Sequence, residues 1–212
     1  MKKPLILLNS APDRAELRKK FLQNYNNLKH SDNYELRVVI ERDSIHLLRQ
    51  KEIIKDNFER IIIIVDDDMI FTSETDFFNS VELAKEQKVG MVSNGWKFSL
   101  STKRGVKDEF VKRKLVFTGG GLVLSIPAQK VISLMPKERY WSDNVAWSIE
   151  CTKAGLQNYY YRGSIAVHKV CQNGGRKTLL QETDFIHHPS IKINIGKSGQ
   201  ILIPTEKYIN WE

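Results

Sequence analysis

Three consecutive acids, Asp66-Asp67-Asp68, are the residues whose types and spacing point most directly to chemistry. Alternate carboxylates at a strand's end can hold a hard divalent cation, and a cation so held can bind a diphosphate. The acids follow Ile61-Ile62-Ile63-Ile64-Val65 without a break, a run that reads as a parallel strand buried on both faces. Open α/β sheets take their ligands at the carboxyl ends of such strands. The same triplet also reads as a solvated acidic turn capping a core strand, so the surrounding elements must decide.

Those elements alternate in type. Leu5-Ile6-Leu7-Leu8 predicts a short buried strand ended by Asn9-Ser10. Pro12 suits the first turn of a helix, and Leu17, Phe21, Tyr25 and Leu28 form an apolar stripe at helical spacing. Residues 36–40 predict a second strand, closed by Glu41-Arg42-Asp43-Ser44. There Asp43 or Ser44 can cap a helix carrying Ile45, Leu48 and Ile53. After the third strand, Ser73 opens a helix with Phe77, Val81 and Ala84 inward and Gly90 past its end. Successive strand-then-helix units argue for a parallel sheet with right-handed crossovers.

The second half changes character. Residues 89–93, Leu115-Val116-Phe117 and Leu122-Val123-Leu124 predict strands, the last two flanking Thr118-Gly119-Gly120-Gly121. Pro127 fits the start of a helix through Ile132 and Leu134. Ser142 or Asp143 starts another, with Val145 and Ile149 on one face and Gly155 stopping it. Tyr159-Tyr160-Tyr161 and Ile165-Ala166-Val167 read as two strands, the second ending at His168. Residues 191–212 alternate around Gly196 and Gly199 without declaring a place.

A chain of 212 residues, 41% hydrophobic and 27% charged, can bury one sizeable core, and no repeat or low-complexity linker divides it. The apolar stretch after Met1-Lys2-Lys3-Pro4 is too short for a signal peptide, and no apolar run approaches the ~20 residues of a membrane span. Cys151 and Cys171 suggest neither a metal pair nor a disulfide framework. The expectation is a soluble protein of a reducing cytoplasm. Net charge is +8, densest over residues 97–114, where Lys97, Lys103, Arg104, Lys107, Lys112, Arg113 and Lys114 face only Asp108 and Glu109. Such a surface favours a polyanion (diphosphate, nucleic acid or anionic membrane), and serves equally as a solvated face.

In sequence order these features resemble the GT-A fold glycosyltransferases, enzymes that use nucleotide sugars. Asn9-Ser10-Ala11-Pro12-Asp13-Arg14 resembles their nucleotide-facing loop, and Glu41-Arg42-Asp43-Ser44 lies where they contact the base. Asp66-Asp67-Asp68 resembles their DxD motif, and Thr118-Gly119-Gly120-Gly121-Leu122 their glycine-rich turn beside the donor sugar. Trp141-Ser142-Asp143 resembles the Trp-Glu-Asp helix start of the acceptor site, with Ser142 standing where the family has Glu. His168 falls where many members have a metal-binding His. The resemblance covers roughly residues 4–170. It implies a single α/β domain, 1–212, with a Rossmann-like, mostly parallel sheet, flanking helices and a smaller acceptor-side sheet. Residues 1–95 form the nucleotide-binding half, 96–190 the acceptor half and 191–212 a tail.

The resemblance also implies roles. Transfer leaves a nucleoside diphosphate that gains charge, which Mn²⁺ or Mg²⁺ offsets as a Lewis acid. Asp68 and His168 would hold the metal, an imidazole suiting Mn²⁺, with His187 and His188 as competitors for the His role. Asp66 would hold ribose or a metal-bound water, and Asp67 would point away. Asn9, Ser10, Arg14, Glu41, Asp43, Gly119 and Gly120 would contact the donor, a UDP-sugar. Asp143 would be the general base of an inverting transfer, or merely the helix cap. Trp141 offers a stacking ring or a core side chain. Arg18 reads as solvated, and the glycines equally as a tight hairpin.

Small size, basic charge and the absence of a predicted anchor fit a phage-type enzyme acting on a hydroxymethylated DNA base in the host cytoplasm. Residues 97–114 would then track phosphates, with Trp96 or Phe98 stacking. A transferase acting on a lipopolysaccharide or capsule glycan at an anionic lipid surface fits equally. No obligate protein partner is evident. Of other classes, a nucleotidyltransferase would carry a glycine- and lysine-rich loop where Asn9-Ser10-Ala11-Pro12 stands. A basic nucleic-acid-binding module explains the charge but not the acids.

Overall fold

The computed structural model describes residues 2–40, 53–54, 56–57, 59–71, 74–97, 109–116, 121–135, 143–168, 188–192 and 206–211. The strands are β1 (Leu5–Ser10), β2 (Glu35–Ile40), β3 (Ile62–Asp66), β4 (Met69–Phe71), β5 (Val89–Lys97), β6 (Phe110–Arg113), β7 (Leu122–Leu124) and β8 (Gln157–His168). The helices are α1 (Ala15–Asn26), α2 (Glu74–Leu83), α3 (Ile126–Leu134) and α4 (Asp143–Lys153).

Among the described residues all eight strands join one sheet in the order β2-β1-β3-β7-β5-β8-β4, with β6 also on β8. Strands β1, β2, β3, β5 and β8 point one way, while β4, β6 and β7 run against them. The mostly parallel sheet is therefore as expected, and the expected smaller sheet is continuous with it, built from β6 and β4 along one edge of β8.

Strand β3 is buried on both faces, as its unbroken apolar run predicts. Ile61, Ile63 and Val65 join Phe21 and Tyr25 of α1 and Phe77 and Val81 of α2. Ile62 and Ile64 point the other way, to Ala128 and Ile132 of α3 and Trp147 of α4. Period-two alternation thus divides the core into two layers, one on each side of the sheet. Truncating a ring such as Phe21, 1% exposed, would cost about 3–5 kcal/mol.

Several local expectations are corrected. Pro12 precedes α1 rather than opening it: the Arg14 N–H donates to the Ala11 carbonyl at 3.1 Å, closing a turn with Pro12 inside. Residues 115–116 follow strand β6 instead of forming a strand. The two predicted strands of 159–167 are one, β8, whose pairing with β5 shifts register between Asn94–Tyr161 and Gly95–Ser164. Gly90 lies within β5, as the predicted strand 89–93 has it, and an added Cβ there would meet Asn158 Oδ1 at 2.5 Å. The predicted helix around Ile45 and Leu48, and its caps Asp43 and Ser44, lie outside the described residues. So do Ser73, Cys171 and most of residues 97–114. Part of the tail finds its place: Ile191 bridges to Ile209, and both pack with Val145 and Ile149 of α4.

Candidate active site

Register alone gathers the chemistry at one end of the sheet. Asn9 pairs with Asp66 across β1–β3, and Ser10 with Ile40 across β1–β2. Three parallel strands therefore end together, forming the kind of crevice where open α/β sheets take ligands. β3 runs into the turn Asp67-Asp68 and then directly into β4. β4 pairs antiparallel with the end of β8, placing Met69 opposite His168. A residue about a hundred positions downstream is thereby brought beside the acidic turn.

The three acids have different partners. Asp66 continues the row of Ile62 and Ile64, the face covered by α3 and α4, and accepts from Asn9 Nδ2 at 3.3 Å. Asp67, 2% exposed, accepts from Ser10 Oγ at 2.6 Å, and its other oxygen lies 2.8 Å from Arg14 Nη1. Asp68, 7% exposed, accepts from Arg14 Nη2 at 3.0 Å. Behind them, Arg18 donates to Ser10 Oγ at 2.8 Å and to the Ala11 carbonyl at 3.3 Å. The triplet is thus no solvated turn. Asp67 turns toward the loop after β1 instead of idly outward, and Arg18 is a buttress rather than a solvated side chain. Arg14 and Arg18, one helical turn apart, face the acids together.

Burial dominates the electrostatics. Asp66 is only part-buried, yet the protein packed around its carboxyl pushes its pKa up. The charge of Asp68 adds to this, and the Asn9 hydrogen bond opposes it. Asp67 is also raised by burial, against the Ser10 hydroxyl and the Arg14 guanidinium. Acids held in this way favour added positive charge.

A divalent cation fits this donor set in one specific manner. Among the described residues no three His, Cys, Asp or Glu side chains converge as a protein cage. Mg²⁺-like ions, however, are ordinarily bound through one or two carboxylates plus substrate phosphates. Asn9 Oδ1, buried with no hydrogen-bond partner among the described residues, adds another hard oxygen beside the acids.

The remaining expected residues fall as follows. Gly121 adopts φ +116° and touches β3, an added Cβ lying 3.2 Å from Val65 Cγ1. Its carbonyl accepts from the backbone N–H of Asn94 at 3.0 Å and from Asn94 Nδ2 at 3.3 Å, and Ser80 Oγ donates to Asn94 Oδ1. The glycine-rich turn therefore ends against the acidic strand, at a conformation that favours glycine. Thr118, Gly119 and Gly120 lie outside the described residues, as do Glu41, Asp43, Trp141, Ser142, Phe98 and His187.

Asp143 is the first residue of α4. That helix is followed at once by β8, and Asn158 near the start of β8 donates to Thr152 Oγ1 at 3.1 Å and to the Ser148 carbonyl at 3.1 Å. α4 is thus tied to the start of β8 and packs on the sheet there. His188 is otherwise engaged: its Nε2 is 3.0 Å from Glu150 Oε1 and its Nδ1 accepts from the Ser190 N–H at 3.2 Å. It is no longer a competitor for a metal.

No protein-family model matches this chain, and no curated protein matches it. Solved structures do. A mannosyltransferase, PcManGT from Pyrobaculum calidifontis in complex with GDP-Man and Mn²⁺, superposes over 83% of this chain and 59% of its own, at TM-score 0.59 and 14% identity. S. aureus TarS 1-349 in complex with UDP-GlcNAc matches over 82% of this chain and 61% of its own, at TM-score 0.52 and 9% identity. A197 from STIV matches over 80% and 86%, at TM-score 0.51 and 12% identity. The chain thus spans about three fifths of the mannosyltransferase and of the TarS fragment. The fold is that of the GT-A glycosyltransferases. Among the described residues no helix is long and apolar enough to cross a membrane.

Proposed function

We propose that this chain is a metal-dependent glycosyltransferase that moves a sugar from a nucleoside diphosphate sugar to an acceptor hydroxyl. The observation that carries this reading is the buried acidic turn at the end of β3, with His168 across the β4–β8 ladder from Met69. The fold supports it, since two chains of like fold are complexed with GDP-Man and Mn²⁺ or with UDP-GlcNAc. Asp68 and His168 would hold the cation, with Asp66 on the ribose or a metal-bound water. Mn²⁺ or Mg²⁺, when bound, supplies a Lewis acid for the charge gathering on the departing diphosphate.

The chain's own residues do the rest. Asn9, Ser10 and Arg14 line the nucleotide side, joined by Glu41 and Asp43 for the base. Gly119, Gly120 and Gly121 let the backbone approach the donor sugar closely. Asp143 takes the acceptor hydroxyl's proton as its oxygen attacks the anomeric carbon from the face opposite the diphosphate, whose bond to that carbon breaks, a single displacement that inverts configuration. The donor is a UDP-sugar in this reading. A polyanionic acceptor, glycan or modified DNA, is supported by Lys112 and Arg113, both exposed on β6.

A screen of donors against glycan and hydroxymethylated-DNA acceptors, read by intact product mass, tests the proposal. One donor–acceptor pair should gain a single glycosyl mass in the presence of Mn²⁺. Metal-independent transfer would overturn the metal's role, and nucleotidyl addition would move the chain to another class.

A further inference from the structure

Arg14 stands on the acids where a cation would otherwise be needed. Its guanidinium lies 2.8 Å from Asp67 Oδ1 and 3.0 Å from Asp68 Oδ2, spanning two carboxylates of different residues. The arginine side chain is 30% exposed while those of Asp67 and Asp68 are 0% and 8% exposed, so the cation sits at the mouth and the acids beneath it. We propose that Arg14 is an exchangeable counterion. It neutralises Asp68 while the site is unloaded and releases it only when a diphosphate offers the guanidinium another anion, so that cation and nucleotide load together. This deepens the glycosyltransferase reading and rests on it.

Three features carry the inference. First, Asp68 Oδ2 cannot serve both partners, because a divalent ion bound at about 2.1 Å would press its charge against the guanidinium. Secondly, Asp67 has an independent anchor in Ser10 Oγ at 2.6 Å, itself backed by Arg18 at 2.8 Å. The acidic turn can therefore keep its shape while Arg14 swings off Asp68. Thirdly, Arg14 occupies the N-cap position of α1 yet makes no side-chain cap there, so moving its side chain leaves the helix start intact. The planar fork of arginine suits a phosphate as well as a carboxylate pair.

Such an exchange is a coupling free energy between two ligands, and it must be reciprocal. Mn²⁺ binding is measured by electron paramagnetic resonance, on the full chain, alone and with saturating UDP or GDP. In wild type one nucleotide should tighten Mn²⁺ by a factor on the order of 10, within the usual range of such couplings, and Mn²⁺ should tighten that nucleotide equally. Arg14→Gln should bind Mn²⁺ alone roughly tenfold more tightly and lose most of the coupling. If Arg14→Gln does not fold, Arg14→Lys, which keeps a charge but not the fork, should show the same trend at smaller size. Unchanged Mn²⁺ affinity and unchanged coupling in the folded variant overturn the exchange while leaving the glycosyltransferase reading intact. Wild type that binds neither Mn²⁺ nor nucleotide overturns both.

Discussion

Ser10 and Asp67, 57 residues apart in sequence, are joined by a 2.6 Å hydrogen bond with both side chains buried. The hydroxyl comes from the last residue of β1 and the carboxylate from the turn after β3, so this bond ties two strand ends into one rim. Removing the hydroxyl leaves a buried carboxylate oxygen short of a donor. Ser10→Ala should therefore lower stability by about 1–3 kcal/mol in urea unfolding. A change below about 0.5 kcal/mol, typical of an unimportant surface site, would contradict the role given to this bond.

His188 supplies a pH-dependent prediction away from the acids. Burial pushes its pKa below the ordinary 6.5, while Glu150 pulls the other way. Between that lowered value and 6.5 the unfolded chain binds more protons than the folded one, so stability rises with pH across the window. The contribution is fully present above 6.5 and is lost as pH falls through the window toward the folded value. Urea midpoints from pH 7.5 down to 5 should fall more steeply in wild type than in His188→Gln. Parallel slopes would show that His188 titrates alike in both states.

Asp143 opens α4, so two roles compete for it, helix cap and general base. Asp143→Asn keeps the side chain's shape and a hydrogen-bonding oxygen at the helix start. Donor affinity and melting temperature should therefore stay unchanged while kcat falls by about 10²–10⁴-fold. Normal turnover by this variant would leave Asp143 only the structural role.

Much of this site was legible in the sequence because its supports are local. The run Ile61–Val65 could only be a strand buried on both faces, and acids placed directly after it had to emerge at the strand's end. Gly155, at φ +78° where α4 stops, likewise follows from residue type.

What escaped the sequence depends on long-range pairing. Nothing in Leu122-Val123-Leu124 announces that it runs antiparallel between β3 and β5. The register shift at Gly95–Ser164 made one strand look like two, because period-two alternation breaks where a ladder slips. Arg18 read as solvated since nothing in an arginine's sequence position shows the Ser10 hydroxyl 2.8 Å away. The one available clue was its spacing of four from Arg14, on the same helical face.

In the proposed function the acidic turn binds a nucleotide sugar through a cation held by Asp68. Thermal unfolding in a panel of nucleoside diphosphate sugars, UDP-GlcNAc and GDP-Man among them, with and without Mn²⁺, tests it most directly. At a donor concentration about 100-fold above its Kd, stabilisation is about 2.7 kcal/mol, or roughly 5–10 °C in Tm for a chain of this size. Such a shift is expected for one donor, only with Mn²⁺, and is lost in Asp68→Asn. No shift with any donor in wild type, or an equal shift in Asp68→Asn, would contradict it.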